Sequence, residues 1–350
     1  MASTSSYKCL NCNAPLGFDP TSGHWKCHYC FSEFTKEELD RVYKEEETRE
    51  KSNEESNEES SELNSYHCNN CGAEIVADET TSATFCLYCK SPSLIKERFK
   101  GEFHPKYVIP FKLTHADAER IYKEWIQKKL FAPTLFKNDE EIEKIKGIYA
   151  PFWLFDCETE GYVEGQGTIV TSWRAGKYQY TKTKYYHVER GGCVKYERVP
   201  IDASTKLDDK FMLMIEPYDY QTMTDFSMHY MTGFFAEKYD VDEETCEKTM
   251  TERVQQFVTD RIRNTVSGYT SFTVSNSYSN LKDAVESYAL MPVYLLVNEF
   301  NDEKHMFLIN GQTGKVVGET PIDHKRQIVF WLILLAITWL VIVLGGALFV

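Results

Sequence analysis

Apolar residues recur at intervals of three and four in two long stretches of the chain, residues 114–130 and residues 242–266. This periodicity is typical of amphipathic helices. Thr114 precedes the first stretch as an N-cap residue, with Asp117 at the capping-box position. Gly268 lies just beyond the second stretch, where helices commonly end. We therefore predict two long helices here, and two further helices over residues 139–146 and 225–239.

Strand patterns occupy much of the chain between these helices. Residues 145–157 form an aromatic, β-forming run that predicts a buried strand. Residues 162–202 alternate in polarity, and Arg174-Ala175-Gly176-Lys177 predicts a hairpin turn within them. Further strands are predicted over residues 271–275, 290–300, 305–310 and 315–318, the last two joined by a turn at Asn310-Gly311. The pattern predicts an α+β fold, in which an antiparallel sheet carries inserted helices.

The C-terminal residues 328–350 are apolar and contain no charged side chain. As a helix they would span about 34 Å, enough to cross a hydrocarbon core of about 30 Å. His324, Lys325 and Arg326 precede this segment, which places the bulk of the chain in the cytoplasm by the positive-inside rule. We expect a tail-anchored, single-pass protein of the cell membrane.

A cysteine pattern occurs twice near the N-terminus. Cys9, Cys12, Cys27 and Cys30 are spaced as two Cys-x2-Cys pairs with fourteen residues between the pairs, and Cys68, Cys71, Cys86 and Cys89 repeat that spacing. At an offset of 59 residues the copies also share Tyr7/Tyr66, Asn11/Asn70, Ala14/Ala73, Asp19/Asp78, Thr21/Thr80 and Tyr29/Tyr88. These matches indicate an internal duplication.

Each copy has the ligand number and spacing of a four-thiolate zinc ribbon, so we predict two Zn²⁺ ions per chain, held by all eight cysteines. Four thiolates leave no open coordination position, which indicates a structural metal. Disulfides would need an oxidising compartment, and residues 1–6 lack the apolar region of a secretory signal. A redox Cys-x-x-Cys normally lies in a βαβ unit, which neither copy has. Iron is an alternative to zinc as the bound metal, because the spacing of the cysteines does not distinguish the two.

Length and charge suggest five segments: ribbon 1 (residues 1–35), an acidic flexible tether (36–65), ribbon 2 (66–98), the α+β domain (99–321), and a basic flank with the transmembrane helix (322–350). The tether is a spacer or, alternatively, a docking site for a basic partner. A formal net charge of −14 argues against a general nucleic-acid binder. Neither ribbon carries a basic stripe.

Known catalytic motifs are absent from the sequence, and we expect no enzymatic activity. Asp156, Glu158 and Glu160 share one face of a strand, which favours a solvated surface over a carboxylate centre. Cys193, His187 and Asp202 could be combined into a thiol triad, but their spacing does not specify that geometry. The many aromatic residues between 149 and 239 are interpreted as sheet packing and not as base-stacking platforms.

Several motifs resemble one family. The sequence Cys68-Asn69-Asn70-Cys71-Gly72 is similar to the TFIIB-type zinc ribbon of bacterial membrane proteins. Similar motifs cover residues 147–155 (GIYAPFWLF), 199–204 (VPIDAS), 233–239 (GFFAEKY) and 310–318 (NGQTGKVVG).

That family is often labelled replication-restart-helicase-like because of its ribbon, although this chain has no nucleotide-binding loop. The resemblance implies a membrane partner of SPFH (flotillin-like) or phage-shock-type proteins. We therefore expect a membrane-anchored, zinc-binding cytoplasmic scaffold that recruits protein partners. A membrane-tethered regulator that binds nucleic acid through its zinc ribbons is the alternative. The oligomeric state stays open.

Overall fold

The computed structural model describes residues 7–42, 64–77, 86–90, 94–98 and 105–348, apart from Asn13, Pro15, His28, Asp40 and Thr232. Most of the predicted tether, residues 43–63, therefore lies outside the described residues. The strands are β1 (Leu16–Asp19), β2 (His24–Cys27), β3 (Glu33–Phe34), β4 (Asn64–Cys68), β5 (Glu74–Ala77), β6 (Leu94–Arg98), β7 (Tyr107–Val108), β8 (Lys146–Ala175), β9 (Tyr178–Asp202), β10 (Thr224–Asp225), β11 (Phe235–Glu237), β12 (Ser271–Phe300), β13 (Glu303–Asn310) and β14 (Val316–Gly318). The α-helices are α1 (His115–Gln127), α2 (Asp139–Ile142), α3 (Asp209–Ile215), α4 (Glu243–Arg263) and α5 (His324–Leu348).

The strands form two sheets. A small sheet of order β1-β2-β3 belongs to ribbon 1, and a large sheet of eleven strands includes all the others. The large sheet follows the order β10-β7-β12-β8-β11-β5-β4-β6, with β9 added to β8 and the β13–β14 hairpin added to β12. Two of its pairs, β11 with β8 and β12 with β7, are parallel. The fold is thus α+β as predicted, but the sheet is mixed, and the prediction of an antiparallel sheet is wrong for these two pairs.

Three long strands extend far beyond the compact part of the domain. β8 pairs with β9 from Phe152–Asp202 out to Ala175–Tyr178. β12 pairs with the other edge of β8, from Leu295–Lys146 out to Ser271–Thr168. The sequence predicted two separate strands where β12 is continuous. Residues 276–289 stay extended because β8 pairs with them throughout, with register shifts at Val274/Asn276 and Leu281/Asp283.

The two long helices are confirmed. Thr114 caps α1 with Asp117 in a reciprocal capping box, as predicted. Helix α4 begins after the N-cap Asp242 and ends before Gly268, which has a φ of +87°. Its buried face, formed by Cys246, Met250, Val254, Val258 and Ile262, packs on the three long strands.

The helix predicted over residues 225–239 is wrong. A short 3₁₀ turn (Met228–Met231) is followed by strand β11. Gly233 has a φ of +83°, which breaks a helix, and Phe235 and Ala236 pair with Ile148 and Tyr149 of β8. Long-range strand pairing therefore overrides the local helical pattern.

The C-terminal helix is confirmed as α5, which runs over residues 324–348. In α5 the side chains are described up to Ile342, except for Leu340. Among the described residues of the protein, no helix is both long enough and apolar enough to cross a membrane. A transmembrane span is therefore not supported by the described residues.

The core of the domain lies where the family-like motifs meet. Gly147 approaches Phe234 and Tyr294 so closely that a Cβ atom would lie 2.6 Å from the Phe234 ring. A Cβ atom added at Gly311 would lie 2.5 Å from the ring of Phe111. These glycines let β8 and the β13–β14 turn pack closely against a cluster of aromatic rings, in which Phe111 stacks on Phe234 and meets Tyr294 edge-on. The motifs thus build the packed region that carries both ribbons.

Candidate metal centres

Ribbon 1 brings its four cysteines together at one end of a three-stranded sheet. The Sγ atoms of Cys9 and Cys30 lie 3.3 Å apart, and those of Cys12 and Cys27 lie 3.4 Å apart. The backbone N–H of Asn11 donates to the Cys9 sulfur, as expected for a tight turn between paired cysteines. The four sulfurs form one cluster.

Ribbon 2 repeats this arrangement. The Sγ atoms of Cys68 and Cys89 lie 3.5 Å apart, and those of Cys71 and Cys86 lie 3.6 Å apart. Gly72, with a φ of +71°, follows the first pair of ligands and allows the chain to turn away. All eight predicted metal ligands therefore lie in two clusters of four, one in each copy of the repeat.

The sulfur geometry fits a metal ion better than a disulfide. A disulfide would place its two sulfurs about 2.05 Å apart, whereas the closest pairs here are 3.3–3.6 Å apart and all eight cysteines are free thiols. Four sulfurs at about 2.3 Å from a zinc ion would lie about 3.8 Å from one another. A modest expansion of each cluster would accommodate a metal ion such as zinc.

Local hydrogen bonds and burial shift the pKa values of individual cysteines in both clusters. The hydroxyl and the backbone N–H of Ser32 lower the pKa of Cys30 to about 6, which favours its thiolate. The Ser32 hydroxyl also accepts a bond of 2.8 Å from the Asn11 amide, so it links the two turns of ribbon 1. In ribbon 2, burial raises the pKa of Cys86. Burial therefore makes the thiolate of Cys86 costly, and a bound metal ion would compensate its charge.

Ribbon 2 is built into the large sheet. β5 pairs with β11, which in turn pairs with β8. Beside the cluster, Tyr88 is buried and its hydroxyl donates to the carboxylate of Glu237 on β11 over 2.8 Å. The hydroxyl of Ser204 donates to the other Glu237 oxygen over 2.7 Å. The metal-binding end of ribbon 2 is thus fixed to the domain.

Ribbon 1 contacts the domain through a different surface. Its Phe18 and Trp25 pack against Tyr230, with ring centroids 5.3 and 5.5 Å apart. The opposite, metal-binding end is open: Tyr29 is 75% exposed, whereas Tyr88, its counterpart in the repeat, is 7% exposed. Phe31, 84% exposed, adopts a φ of +59°, which is unusual for a bulky side chain. We call Leu10, Tyr29 and Phe31 the open knuckle.

Comparisons with known proteins identify a relative. The chain is 34% identical over 330 residues to the uncharacterized protein YdjG of Bacillus subtilis (strain 168), a match that covers 92% of this chain and 91% of YdjG. The chain belongs to the YdjG family. No family model matches the chain, and no solved structure matches it.

In this member of the YdjG family the residues considered as a thiol triad lie apart. Cys193 pairs with Glu160 across the sheet, and its sulfur lies 3.9 Å from the Lys282 ammonium. His187 bonds to Glu189 over 2.9 Å, six residues along β9 from Cys193. Asp202 lies at the far end of β9, opposite Phe152. The structure therefore does not bring the three side chains together.

The three carboxylates on β8 also lie on a solvated surface of this YdjG relative. Glu158 pairs with Lys195 at 3.5 Å, and Glu160 pairs with Lys282 at 2.6 Å. Asp156 accepts a bond from the backbone N–H of Arg198. These contacts are those of surface ion pairs on a strand.

Sequence reasoning missed two features of this YdjG-family structure. The first is Glu237, which lay inside a segment predicted to be helical, so no signal connected it with Tyr88. The second is the outer end of the β8–β9 hairpin, where several aromatic residues are exposed. The alternation of tyrosine and lysine between residues 178 and 186 was the signal for the second feature.

Proposed function

We propose that the protein is a zinc-binding scaffold that is attached to a membrane through α5 and recruits a protein partner through the open knuckle of ribbon 1. The contrast between the two copies of the repeat carries this proposal. In ribbon 2 the knuckle packs on a protein surface, with its tyrosine bonded to a buried carboxylate. In ribbon 1 the same element leaves its tyrosine and two apolar neighbours in solvent.

Zinc is the metal that we propose for both clusters. Four sulfur ligands in a closed set suit a structural zinc ion, which would stabilise each short ribbon. Metal analysis of protein purified without added metal tests this: about two zinc ions per chain are expected, and a stoichiometric iron content would contradict it.

Membrane attachment is supported by the surface of α5. Its described large apolar side chains between Ile328 and Ile342 are 37–71% exposed on every side of the helix. Among its described residues, those of the first turns contact the domain: Phe330 packs against Phe131, and Arg326 donates to the backbone carbonyl of Ala132. An apolar helix without a protein partner over most of its described length would be covered by lipid. The positive flank favours the cytoplasmic side for the domain.

For the partner, we propose a membrane-associated protein of the SPFH or phage-shock type, which the resemblance of the motifs implies. The alternative, nucleic-acid binding by the zinc ribbons, has less support. Lys26 of ribbon 1 is paired with Asp19 at 2.5 Å and with Glu33 at 3.1 Å, so its charge is compensated locally. Affinity for phosphates needs uncompensated cations.

The experiment compares partner recovery between matched variants of the full-length protein in detergent. We expect wild type to retain a specific membrane protein and a Tyr29→Ser/Phe31→Asn variant to lose it. Asparagine tolerates a positive φ better than phenylalanine does, so this variant should fold. Val285→Ser, which removes an exposed apolar side chain from β12, serves as the control.

Metal content measured on each variant separates loss of docking from loss of the ribbon. Equal recovery of the partner by wild type and by the Tyr29→Ser/Phe31→Asn variant, both with two metal ions per chain, would contradict the proposal.

A further inference from the structure

The outer end of the β8–β9 hairpin is a slender two-stranded projection. β12 supports β8 only as far as Thr168, where it pairs with Ser271. Beyond that point β8 and β9 pair with each other alone, up to the turn at Gly176. We call residues 168–187 the distal hairpin.

The distal hairpin carries a positive charge on a negatively charged protein. Residues 168–187 contain no Asp or Glu, although the whole chain has a net charge of −14. The hairpin contains four cationic side chains: Arg174, Lys177, Lys182 and Lys184. Across the described parts of the chain, none of these four forms an ion pair with a carboxylate. Their charge is therefore available to an anionic partner.

Neighbouring carboxylates are too distant to cancel this charge. The first acidic residues on β8 and β9 are Glu164 and Glu189, which lie opposite each other across the two strands. Glu189 lies five positions along β9 from Lys184, which is about 17 Å of extended strand. That distance is about twice the Debye length at physiological ionic strength.

Aromatic side chains share one face of the hairpin with two of the lysines. Trp173 stacks on Tyr180, with centroids 5.7 Å apart and planes inclined by 16°. The cross-strand register places Lys182 opposite Thr171 and Lys184 opposite Ile169, on the same face as this pair. Tyr178, beside the turn on that face, is 72% exposed. The face therefore presents flat aromatic surfaces and ammonium groups in adjacent rows.

We propose that the distal hairpin binds single-stranded nucleic acid, so that its aromatic residues serve as base-stacking platforms, contrary to their interpretation as sheet packing from the sequence. Bases stack on exposed aromatic rings, and Lys and Arg neutralise the phosphates between them. The combination needs no particular base, so sequence preference should be weak. This site lies outside the zinc ribbons and is independent of the scaffold function proposed above.

The composition of the distal hairpin favours a nucleic acid as its binding partner over the interior of a lipid bilayer. Its turn carries Arg174 and Lys177, so insertion by the tip would take two cations into the lipid first. Ile169 and Val170 are its only aliphatic residues larger than alanine. Most other side chains carry hydroxyl or amide groups, which hydrogen-bond well to phosphates, sugars and base edges.

Fluorescence anisotropy of a labelled oligothymidylate of about 16 nucleotides, titrated with full-length protein in neutral detergent, tests the proposal. With four phosphate contacts, the slope of log K against log salt should be about −2.8. The Lys182→Gln/Lys184→Gln variant should halve that slope. Trp173→Ala should weaken binding about 5- to 150-fold, the loss of one stacked base, and Trp173→Phe should retain most of the affinity.

Lys195→Gln is the matched control, because Lys195 is an exposed lysine on β9 that is paired with Glu158 nearer the core. The proposal is overturned if the oligonucleotide fails to bind at low salt, or if Lys195→Gln weakens binding as much as the double lysine variant. It is also overturned if polyglutamate or phosphatidylglycerol vesicles displace the oligonucleotide equally well, since binding would then follow charge or lipid. Should Trp173→Ala misfold, the lysine variants still decide the outcome.

Discussion

Glu237 illustrates how one side chain connects a metal-binding ribbon with the main sheet. Burial raises its pKa to about 7, although the hydroxyls of Ser204 and Tyr88 donate to its two oxygens and favour the charged form. Burial and the nearby charge of Glu237 also raise the pKa of Asp202 to about 8. Two buried carboxyl groups at the base of ribbon 2 are therefore harder to ionise in the folded protein than in the unfolded chain.

The Glu237→Gln variant should have a weaker dependence of stability on pH. The pKa of Glu237 is higher in the folded protein than in the unfolded chain, so protonation of Glu237 favours the folded state. Its contribution to stability is therefore greatest below about pH 4 and is lost as the pH rises through about 7. Between about pH 5 and pH 8 the free energy of unfolding of the variant should fall by roughly 2–3 kcal/mol less than that of wild type. Urea unfolding followed by tryptophan fluorescence measures this difference. Asp202 keeps part of the dependence in both proteins.

Glu197→Gln, which alters an exposed carboxylate on β9, is the control for this measurement. Parallel loss of stability in wild type and in Glu237→Gln over the same pH interval would contradict the assignment of Glu237.

At the scale of elements, the two ribbons differ in how far their folding is shared with the domain. β5 of ribbon 2 lies within the large sheet, whereas β1–β3 of ribbon 1 form a sheet of their own. Removal of equivalent ligands from the two copies should therefore have unequal effects. Cys12 and Cys71 occupy the same position in the repeat.

Cys12→Ser and Cys71→Ser should each reduce the metal content to about one ion per chain. We expect Cys71→Ser to destabilise the domain by roughly 2–4 kcal/mol more than Cys12→Ser, because loss of the ribbon 2 cluster also releases Tyr88 and β5. Urea unfolding and metal analysis of both variants measure this. A larger effect of Cys12→Ser would show that ribbon 1 is the more integrated copy.

Helix α4 packs on the long strands through a close approach at Gly161. A Cβ atom at Gly161 would lie 2.1 Å from Val258 Cγ1 and 2.6 Å from Ile262 Cδ1. Gly161→Ala should therefore force the helix away from the sheet and cost about 1–3 kcal/mol in thermal or urea unfolding. At Gly192, the cross-strand partner of Gly161, a Cβ atom would point into open space, so Gly192→Ala should cost little. Equal effects of both changes would contradict this packing.

Local signals predicted some elements well and others poorly. The capping box at Thr114, the turn before Lys177 and the turn after Asn310 were predictable because the residues that determine them are close in sequence. β11 and the middle of β12 were missed because pairing with β8 determines them, and β8 is remote in sequence. The grouping of the eight cysteines into two clusters of four was predictable from their spacing alone. The burial of Tyr88 and the exposure of Tyr29 were not, because the two copies pack on different surroundings.

At the scale of the molecule, charge and apolar surface are unevenly distributed. The chain is acidic, its distal hairpin is basic, and the exposed apolar side chains of α5 follow the positive residues Lys325 and Arg326. Three surfaces with different chemistry, the open knuckle, the distal hairpin and α5, are thus carried by one chain. Under the two proposals made above, each surface would meet a different partner.

Under the proposed attachment through α5, deletion of residues 324–350 should yield a protein that alkaline extraction releases from membranes. Full-length protein should remain in the membrane pellet, because about twelve large apolar side chains would otherwise be exposed to water. Fractionation of cells followed by immunodetection measures the distribution. Release of the full-length protein by alkali would contradict attachment through α5.

β8 runs for thirty residues without interruption, from its pairing with β11 to the tip of the distal hairpin. An extended strand resists stretching because its backbone is already near full length. A load applied at the tip would therefore be transmitted along β8 to the strand that holds ribbon 2, with no hinge loop in between. A pull on the hairpin tip would thus reach ribbon 2 through β8, β11 and β5, which are joined by backbone pairing.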